Sequence, residues 1–228
     1  MPRRLQSPSS INMYKQCARK YFYRYLKRLP TKPSIHLVRG SVAHKVLEDF
    51  YDLEVDDYDV DIRMTFMQAM IRMLKQYWDD SASQLAKLDM EKEEIAQFYE
   101  ETQLMLINWF EIFWEKFQKQ IKLGLSQSEA FKKVTPKREA LYKFMDVGIQ
   151  GYIDVIEYEG DEVNLMDYKT SKKFKITPEY ELQLAIYAFM YHRQHGVMPT
   201  RAGIYFLKHG VLHLDVNMDL VKWAEKEI

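Results

Sequence analysis

The chain has one cysteine, Cys17, in 228 residues, with only eight glycines and seven prolines. A single thiol excludes an internal disulfide framework and any metal centre built from this chain's cysteines alone. So little glycine and proline, beside 47% hydrophobic and 14% aromatic residues, excludes a disordered or linker-dominated chain. Long apolar runs are also missing. The longest, Leu184 to Tyr191, has eight residues, where a bilayer span needs about 20. The polar start Met1 to Ser10 has no apolar signal region. The expectation is a soluble, intracellular (cytoplasmic) protein without a membrane partner. Acids are absent from Met1 to Leu47, which holds eleven Lys or Arg, whereas Glu48 to Ile62 holds eight acids and no Lys or Arg. The net charge of zero therefore conceals a cationic first segment, with Arg19, Lys20, Arg24, Lys27 and Arg28 interleaved with Tyr14, Tyr21, Phe22, Tyr23 and Tyr25. Cations neutralise phosphates and rings stack on bases, so this composition suits a phosphate-rich strand. It equally suits a solvated helix with an aromatic core face.

Periodicity divides the chain into a helical first half and a sheet-forming second half. Ser9 or Ser10 can cap a helix to about Lys27, with Ile11, Tyr14, Ala18, Phe22 and Tyr25 at spacings of three and four, ended by Pro30 and Pro33. A second helix is expected from about Ser41 to Leu53, with Val42, Val46, Leu47 and Phe50 inward and Gly40 permitting a tight turn into it. Acidic Glu54 to Asp61 reads as a loop. Helical patterns resume over Ile62 to Trp78 and from about Lys92 to Ile121. After Pro136 come short β-branched and aromatic runs at Glu139 to Phe144, Val147 to Tyr158, Val163 to Thr170, Ala202 to Lys208 and Val211 to Val216. One helix interrupts them, capped by Thr177 with Pro178 at its first position and running toward Gly196, and a last helix starts near Asp219. The expected fold class is α/β: a mixed sheet covered by helices, one domain over residues 1–228 with 54–135 as a helical insertion.

Chemistry concentrates in Gly151-Tyr152-Ile153-Asp154 and, thirteen residues after Asp154, Asp167-Tyr168-Lys169. A two-residue turn with Gly160 first, as type II′ prefers, pairs Asp154 with Asp167 and Tyr152 with Lys169. Alternation then puts these four on one side and Ile149, Ile153, Val155, Met166 and Tyr168 on the other. A bulge would shift this register by one. Facing carboxylates repel unless a cation sits between them, and Mg²⁺, which prefers one or two protein carboxylates plus water and phosphate, suits that place. Lys169 can stabilise developing negative charge or orient water there. His44 and Glu48, and likewise Gln183 and Tyr187, lie four apart, so each pair projects from one face of its helix. His44 can offer a nitrogen to a metal.

These residues together resemble a known family. Ser7-Pro8-Ser9-Ser10-Ile11 and Tyr14-Lys15-Gln16-Cys17-Ala18-Arg19-Lys20-Tyr21-Phe22-Tyr23 look like the opening of RecB-type nucleases of the PD-(D/E)xK superfamily. Arg39-Gly40-Ser41-Val42-Ala43-His44 resembles the family's Gly-x-x-x-His motif, Gly151 to Asp154 its Gly-x-x-Asp, Asp167 to Lys169 its Asp-Tyr-Lys, and Gln183 to Tyr187 its Gln-x-x-x-Tyr. Five motifs in order, over residues 7 to about 208, make the likeness specific. It implies a DNA nuclease using Mg²⁺ or Mn²⁺, an exonuclease on single strands or duplex ends. His44, Asp154, Asp167 and the Tyr168 backbone carbonyl would be metal ligands and Lys169 the catalytic lysine. Gln183 and Tyr187 would support the site or contact the strand, and Glu139 resembles a family acidic position. The resemblance also admits a DNA-binding or nuclease subunit that acts with a recombination helicase or a CRISPR adaptation protein. Many members carry an iron–sulfur cluster on four cysteines. Cys17 matches the first, the other three are absent, and no cluster is expected in this chain. Two readings stay open: a cluster-free branch, with Cys17 a small buried residue on the first helix, or a chain that stops before a C-terminal cysteine group.

Overall fold

The computed structural model describes residues 4–228, so the first three residues of the polar start lie outside it. Ser7, with its side chain accepting from the Ser10 N–H, caps α1 (Pro8–Gln16) two residues before Ser9 and three before Ser10, because Pro8 takes the first position, where a missing N–H costs nothing. The expected long first helix is broken. Cys17 is extended and exposed, not buried on a helix, and α2 (Ala18–Tyr21) follows, passing into a π turn at Phe22–Leu26. No proline or glycine marks the break. The aromatic stripe does not reach the core either: Ile11 is buried, whereas Tyr14, Phe22 and Tyr23 are exposed.

The next helix, α3, spans Ile35–Asp49 and so begins well before Ser41; its buried stripe of Ile35, Val38, Arg39, Val42, Ala43, Val46 and Leu47 includes a turn that precedes Gly40. Gly40 therefore lies inside the helix rather than at its start. After a 3₁₀ turn at Phe50–Asp52 and the acidic loop come α4 (Ile62–Asp80), α5 (Ala82–Leu85), α6 (Lys92–Lys122) and α7 (Gln127–Val134). The last of these was not among the expected helices; its signal is a capping box, Ser126-x-x-Glu129, in which each side chain bonds the other's backbone N–H. Phe50, Phe66, Trp109, Phe113 and Phe131 join these helices in one aromatic cluster.

Five strands form a single mixed sheet in chain order: β1 (Lys137–Phe144), β2 (Ile149–Glu159), β3 (Glu162–Lys169), β4 (Arg201–Phe206) and β5 (Gly210–Asp215). All neighbours are antiparallel except β3 and β4, whose parallel pairing requires the crossover helix α8 (Pro178–His195). That helix is capped by Thr177 and stopped by Gly196 at φ 72°. It is apolar around most of its circumference because it packs on the sheet on one side and against α1 and α9 (Met218–Glu227) on others. The sheet thus carries helices on both faces, α3, α4, α6 and α7 on one and α1, α8 and α9 on the other, each with its own apolar core.

Gly203 on β4 is a tight point between these layers. A Cβ there would stand 2.7 Å from the Leu212 carbonyl oxygen, 2.7 Å from His213 Nδ1 and 3.0 Å from Met166 Cε. The carbonyl cannot swing away without breaking the sheet, so Gly203→Ala should destabilise the fold by about 1–3 kcal/mol. Urea unfolding with an unchanged midpoint would contradict this packing.

Candidate active site

The hairpin of β2 and β3 has the expected register, from Glu159 opposite Glu162 back to Val155 opposite Met166. Gly160 takes φ 61° at the first turn position. One residue further the ladder gives way to a side chain, and the Asp154 Oδ2 accepts from the Tyr168 N–H at 3.2 Å. The facing of the strand changes at the same place. Ile149 and Ile153 pack on the α8 side, whereas Val155, Met166 and Tyr168 pack on the α3 side, so the expected grouping of all five on one face does not hold. The cause is visible on β1: Glu139, which stands between the paired Arg138↔Val155 and Ala140↔Ile153 couples, has a positive φ of 43°. A left-handed residue there turns both strands across the sheet, an irregularity of the kind found beside active sites. Asp154 is thereby directed to α3, while Asp167, on the regular β3, faces α8.

His44 lies at the edge of the buried stripe of α3, and the packing of that helix on the sheet brings its ring to the strands. Its Nε2 is 2.9 Å from the Tyr168 carbonyl oxygen and its Nδ1 3.3 Å from Asp154 Oδ2. Donation from Nε2 to the carbonyl leaves the Nδ1 lone pair directed at the carboxylates, a tautomer suited to metal ligation. Burial lowers the His44 pKa, only partly opposed by Asp167, so its contact with Asp154 at neutral pH is that of a neutral imidazole, not an ion pair. His44, Glu139 and Asp154 bring one potential ligand atom each within 4.8 Å of one another. The Tyr168 carbonyl, which takes the Nε2 proton, lies on the opposite side of the imidazole from Nδ1, so it orients the ring and does not stand beside an ion held by Nδ1.

Asp167 is held differently. It is 2% exposed; its Oδ1 accepts from Gln183 Nε2 at 2.7 Å and from the Tyr187 hydroxyl at 3.4 Å, and its Oδ2 lies 2.6 Å from Lys169 Nζ. That oxygen has the ammonium beside it but no well-directed hydrogen bond. Burial, then Asp167, pushes the Tyr187 hydroxyl well up, so it remains a donor. Burial pulls the Lys169 pKa down, but Asp167 and Asp154 outweigh it and the net shift is upward; the ammonium stays charged. Asp154 is raised well above the usual carboxylate range by burial and then by Asp167, and Glu139 is raised by burial, Glu48 and Asp167. Three carboxylates thus crowd a site in which His44 is neutral. The donor set of hard oxygens and one imidazole, together with the poorly satisfied Asp167 Oδ2, fits a divalent cation.

Glu48 stands further out, 3.4 Å from Lys45. Arg19, Lys20, Arg24, Lys27 and Arg28 are all exposed on the α2 and π-turn segment, and none of the five has a carboxylate partner among the described residues. Arg19 lies over the Tyr23 ring and Lys27 over Phe22, and Arg24 donates to the Thr31 hydroxyl. A residue not foreseen from sequence is Arg39. It is 2% exposed and bonds the Thr170 carbonyl at 2.9 Å and Glu101 at 3.0 Å, tying the chain after Lys169 to α3 and α6. Its position in step with Ile35, Val42 and Val46 on the apolar stripe was the available signal.

Comparison with known proteins bears on the fold and the family. A solved structure similar to this chain is a crystal structure of a "putative exonuclease" from Eubacterium rectale, with 11% sequence identity and a TM-score of 0.53 over 97% of this chain and 76% of that chain. At that identity the likeness concerns the fold. No curated protein matches the chain. The family model of the PD-(D/E)XK nuclease superfamily matches residues 6–222. By a match over nearly its whole length, the chain belongs to the PD-(D/E)XK nuclease superfamily.

Proposed function

We propose that this nuclease is a divalent-metal-dependent deoxyribonuclease that hydrolyses phosphodiester bonds from the ends of single strands or duplexes. The observation that carries the reading is the meeting of His44, Glu139 and Asp154 within ligand distance of one another, beside the Asp167–Lys169 ion pair. Residues 1–228 are read as one nuclease domain with 54–135 as a helical insertion, supported by the core that α4, α6 and α7 share with α3, Met166 and Tyr168. His44, Asp154 and Asp167, joined by Glu139, would hold Mg²⁺ or Mn²⁺, with the Tyr168 carbonyl positioning the His44 ring rather than ligating the ion. Such an ion, when bound, supplies Lewis acidity that polarises the phosphodiester and makes water a better nucleophile at neutral pH. Lys169 presents a permanent positive charge to the phosphate oxygens as negative charge grows on them. Gln183 and Tyr187 fix the Asp167 carboxylate by donating to one oxygen, which leaves the other for Lys169 and the cation. His44 is oriented by the Tyr168 carbonyl, and Glu48 adds negative potential at the rim.

The test uses end-labelled DNA, single- and double-stranded, linear and circular, with Mg²⁺, with Mn²⁺ and with chelator. Linear DNA should be degraded to short products only with metal, and circular DNA spared. Equal cleavage of circles would replace the exonuclease reading with an endonuclease one, and intact DNA under every condition would overturn the function.

The exposed cations of the first segment should guide the strand. Single-strand affinity, measured with chelator present, should fall steeply with salt, and each of Arg19, Lys20, Arg24, Lys27 and Arg28 replaced by Gln should reduce the log–log slope by about 0.7. An unchanged slope after replacing all five would return this segment to a merely solvated one.

A further inference from the structure

Immediately after Lys169 the chain leaves the sheet as an irregular segment, Thr170-Ser171-Lys172-Lys173-Phe174-Lys175-Ile176-Thr177, before α8 begins. Lys172, Lys173 and Lys175 are exposed, and none has a carboxylate within ion-pair distance among the described residues. Nearby charges leave the area cationic. Glu101 is shared between Arg39 and Lys208, and Glu179, which feels Lys173, offsets only part of the charge of the three lysines.

Phe174 sits among these lysines with 46% of its surface exposed. It is not loose, for its ring meets Phe206 at 5.5 Å and 84° and His209 at 5.5 Å and 41°. His209 Nε2 in turn holds the Lys172 carbonyl at 2.9 Å, and the Leu207 N–H holds that of Lys169 at 3.0 Å. Burial of hydrophobic surface explains only part of this placement, since nearly half of the residue remains in water. A ring buttressed from behind, with its outer part open and cations on both sides, has the make-up of a base-stacking platform on a polynucleotide track.

Its position relative to the site supports that use. Phe206 is 6.1 Å from the Tyr180 ring, and Tyr180 lies 5.3 Å from Lys169 Nζ. A short chain of rings therefore leads from Phe174 to the ammonium of the active site. Asn12 Nδ2 donates to the Glu179 carbonyl at 2.8 Å, so α1, which leads into the cationic segment, is docked against the first turn of α8.

We infer that the segment Lys172–Lys175 is a second strand-binding element, in which Phe174 stacks on a base of single-stranded DNA and Lys172, Lys173 and Lys175 neutralise the adjoining phosphates. The inference rests on the nuclease reading above. It divides the track in two, with the α2 and π-turn cations as one part and this platform as the other, and it places a sequence-tolerant grip close to the cleavage point.

The experiment measures binding of fluorescent single-stranded oligothymidylate in chelator, where no cleavage occurs, alongside Mg²⁺-dependent cleavage of the same strand. Phe174→Leu keeps an apolar side chain against Phe206 but removes the stacking face. It should weaken binding about tenfold with the salt slope unchanged, whereas Phe174→Trp should bind at least as well as wild type. Replacing Lys172, Lys173 and Lys175 together by Gln should lower the salt slope by about two. Abasic sites placed in turn along the strand should reveal one position at which wild type and Phe174→Leu bind alike. If Phe174→Leu binds every strand within about twofold of wild type while wild type still cleaves, the platform is overturned and the nuclease reading stands. Failure of wild type to bind or cleave DNA would overturn both.

Discussion

Asp154→Asn should cleave DNA at least about 10³-fold more slowly than wild type, because it removes one anionic ligand at the place where phosphate charge must be neutralised. The same substitution should stabilise the metal-free protein. Asparagine keeps an oxygen to accept the Tyr168 N–H, so the strand geometry survives, and it discharges a carboxylate crowded by Asp167 and Glu139. The pH dependence follows from the direction of the shift. Asp154 has a folded-state pKa raised well above its ordinary value of about 3.9, so its contribution to stability is full when it is protonated and is lost as pH rises through the folded value. In chelator, wild type should therefore lose stability relative to Asp154→Asn as pH climbs above about 4. The difference near neutrality should be up to about 1 kcal/mol, or about 2–4 °C in Tm. Metal should invert the order, since a cation that binds the native state stabilises it by mass action and the variant has lost a ligand. Thermal melts of both proteins at several pH values, with and without Mg²⁺, check all of this. An active Asp154→Asn enzyme, or one less stable than wild type in chelator at neutral pH, would remove Asp154 from the site.

The meeting of Asp154 and Asp167 was conveyed by sequence only in part. The hairpin was legible because Gly160 supplies the turn and the β-branched and aromatic residues around it supply the strands, and this brought Asp154 and Asp167 together with the register intact from Val155 to Glu159. Helix α8 was legible for a similar reason, with Thr177, Pro178 and Gly196 each carrying strong local preferences at its ends. The turn of the strands at Glu139 and Asp154 was not. Glutamate does not favour positive φ, so nothing in its type announces that Ile153 and Val155 will face opposite layers. Tertiary packing imposes this conformation, and it assigns Asp154 to the His44 side and Asp167 to the Gln183 side. The first helix shows the converse. Aromatic residues at helical spacing signal a buried face only where something covers them, and Tyr14, Phe22 and Tyr23 keep 41–58% of their surface exposed. Their exposure beside unpaired cations supports the proposed strand contact.

Lys169→Met should lower kcat by about 10²–10³-fold while changing the KM for DNA only a few-fold, because the ammonium acts on charge that develops during the reaction and not on the binding of the strand. Methionine fills a similar volume over the Tyr180 ring, so packing is retained. What it cannot do is balance Asp167, whose Oδ2 would be left 2% exposed in its residue's environment with neither cation nor hydrogen bond beside it. The metal-free variant should accordingly be less stable than wild type, although less so than for a fully buried pair, since the Lys169 side chain is 23% exposed. Added Mg²⁺ should recover much of that stability without recovering the rate. The pH profile separates an electrostatic role from general-base catalysis. With its pKa shifted upward by Asp167 and Asp154, Lys169 stays protonated through the neutral range, so the loss in the methionine variant should be nearly constant from about pH 6 to 9. A base would instead give a wild-type rate that climbs with pH and a deficit that widens with it. Circular dichroism must first show that the variant is folded. A folded, metal-supplied Lys169→Met enzyme with wild-type kcat would mean that the Asp167–Lys169 pair is structural and that the reaction takes place elsewhere.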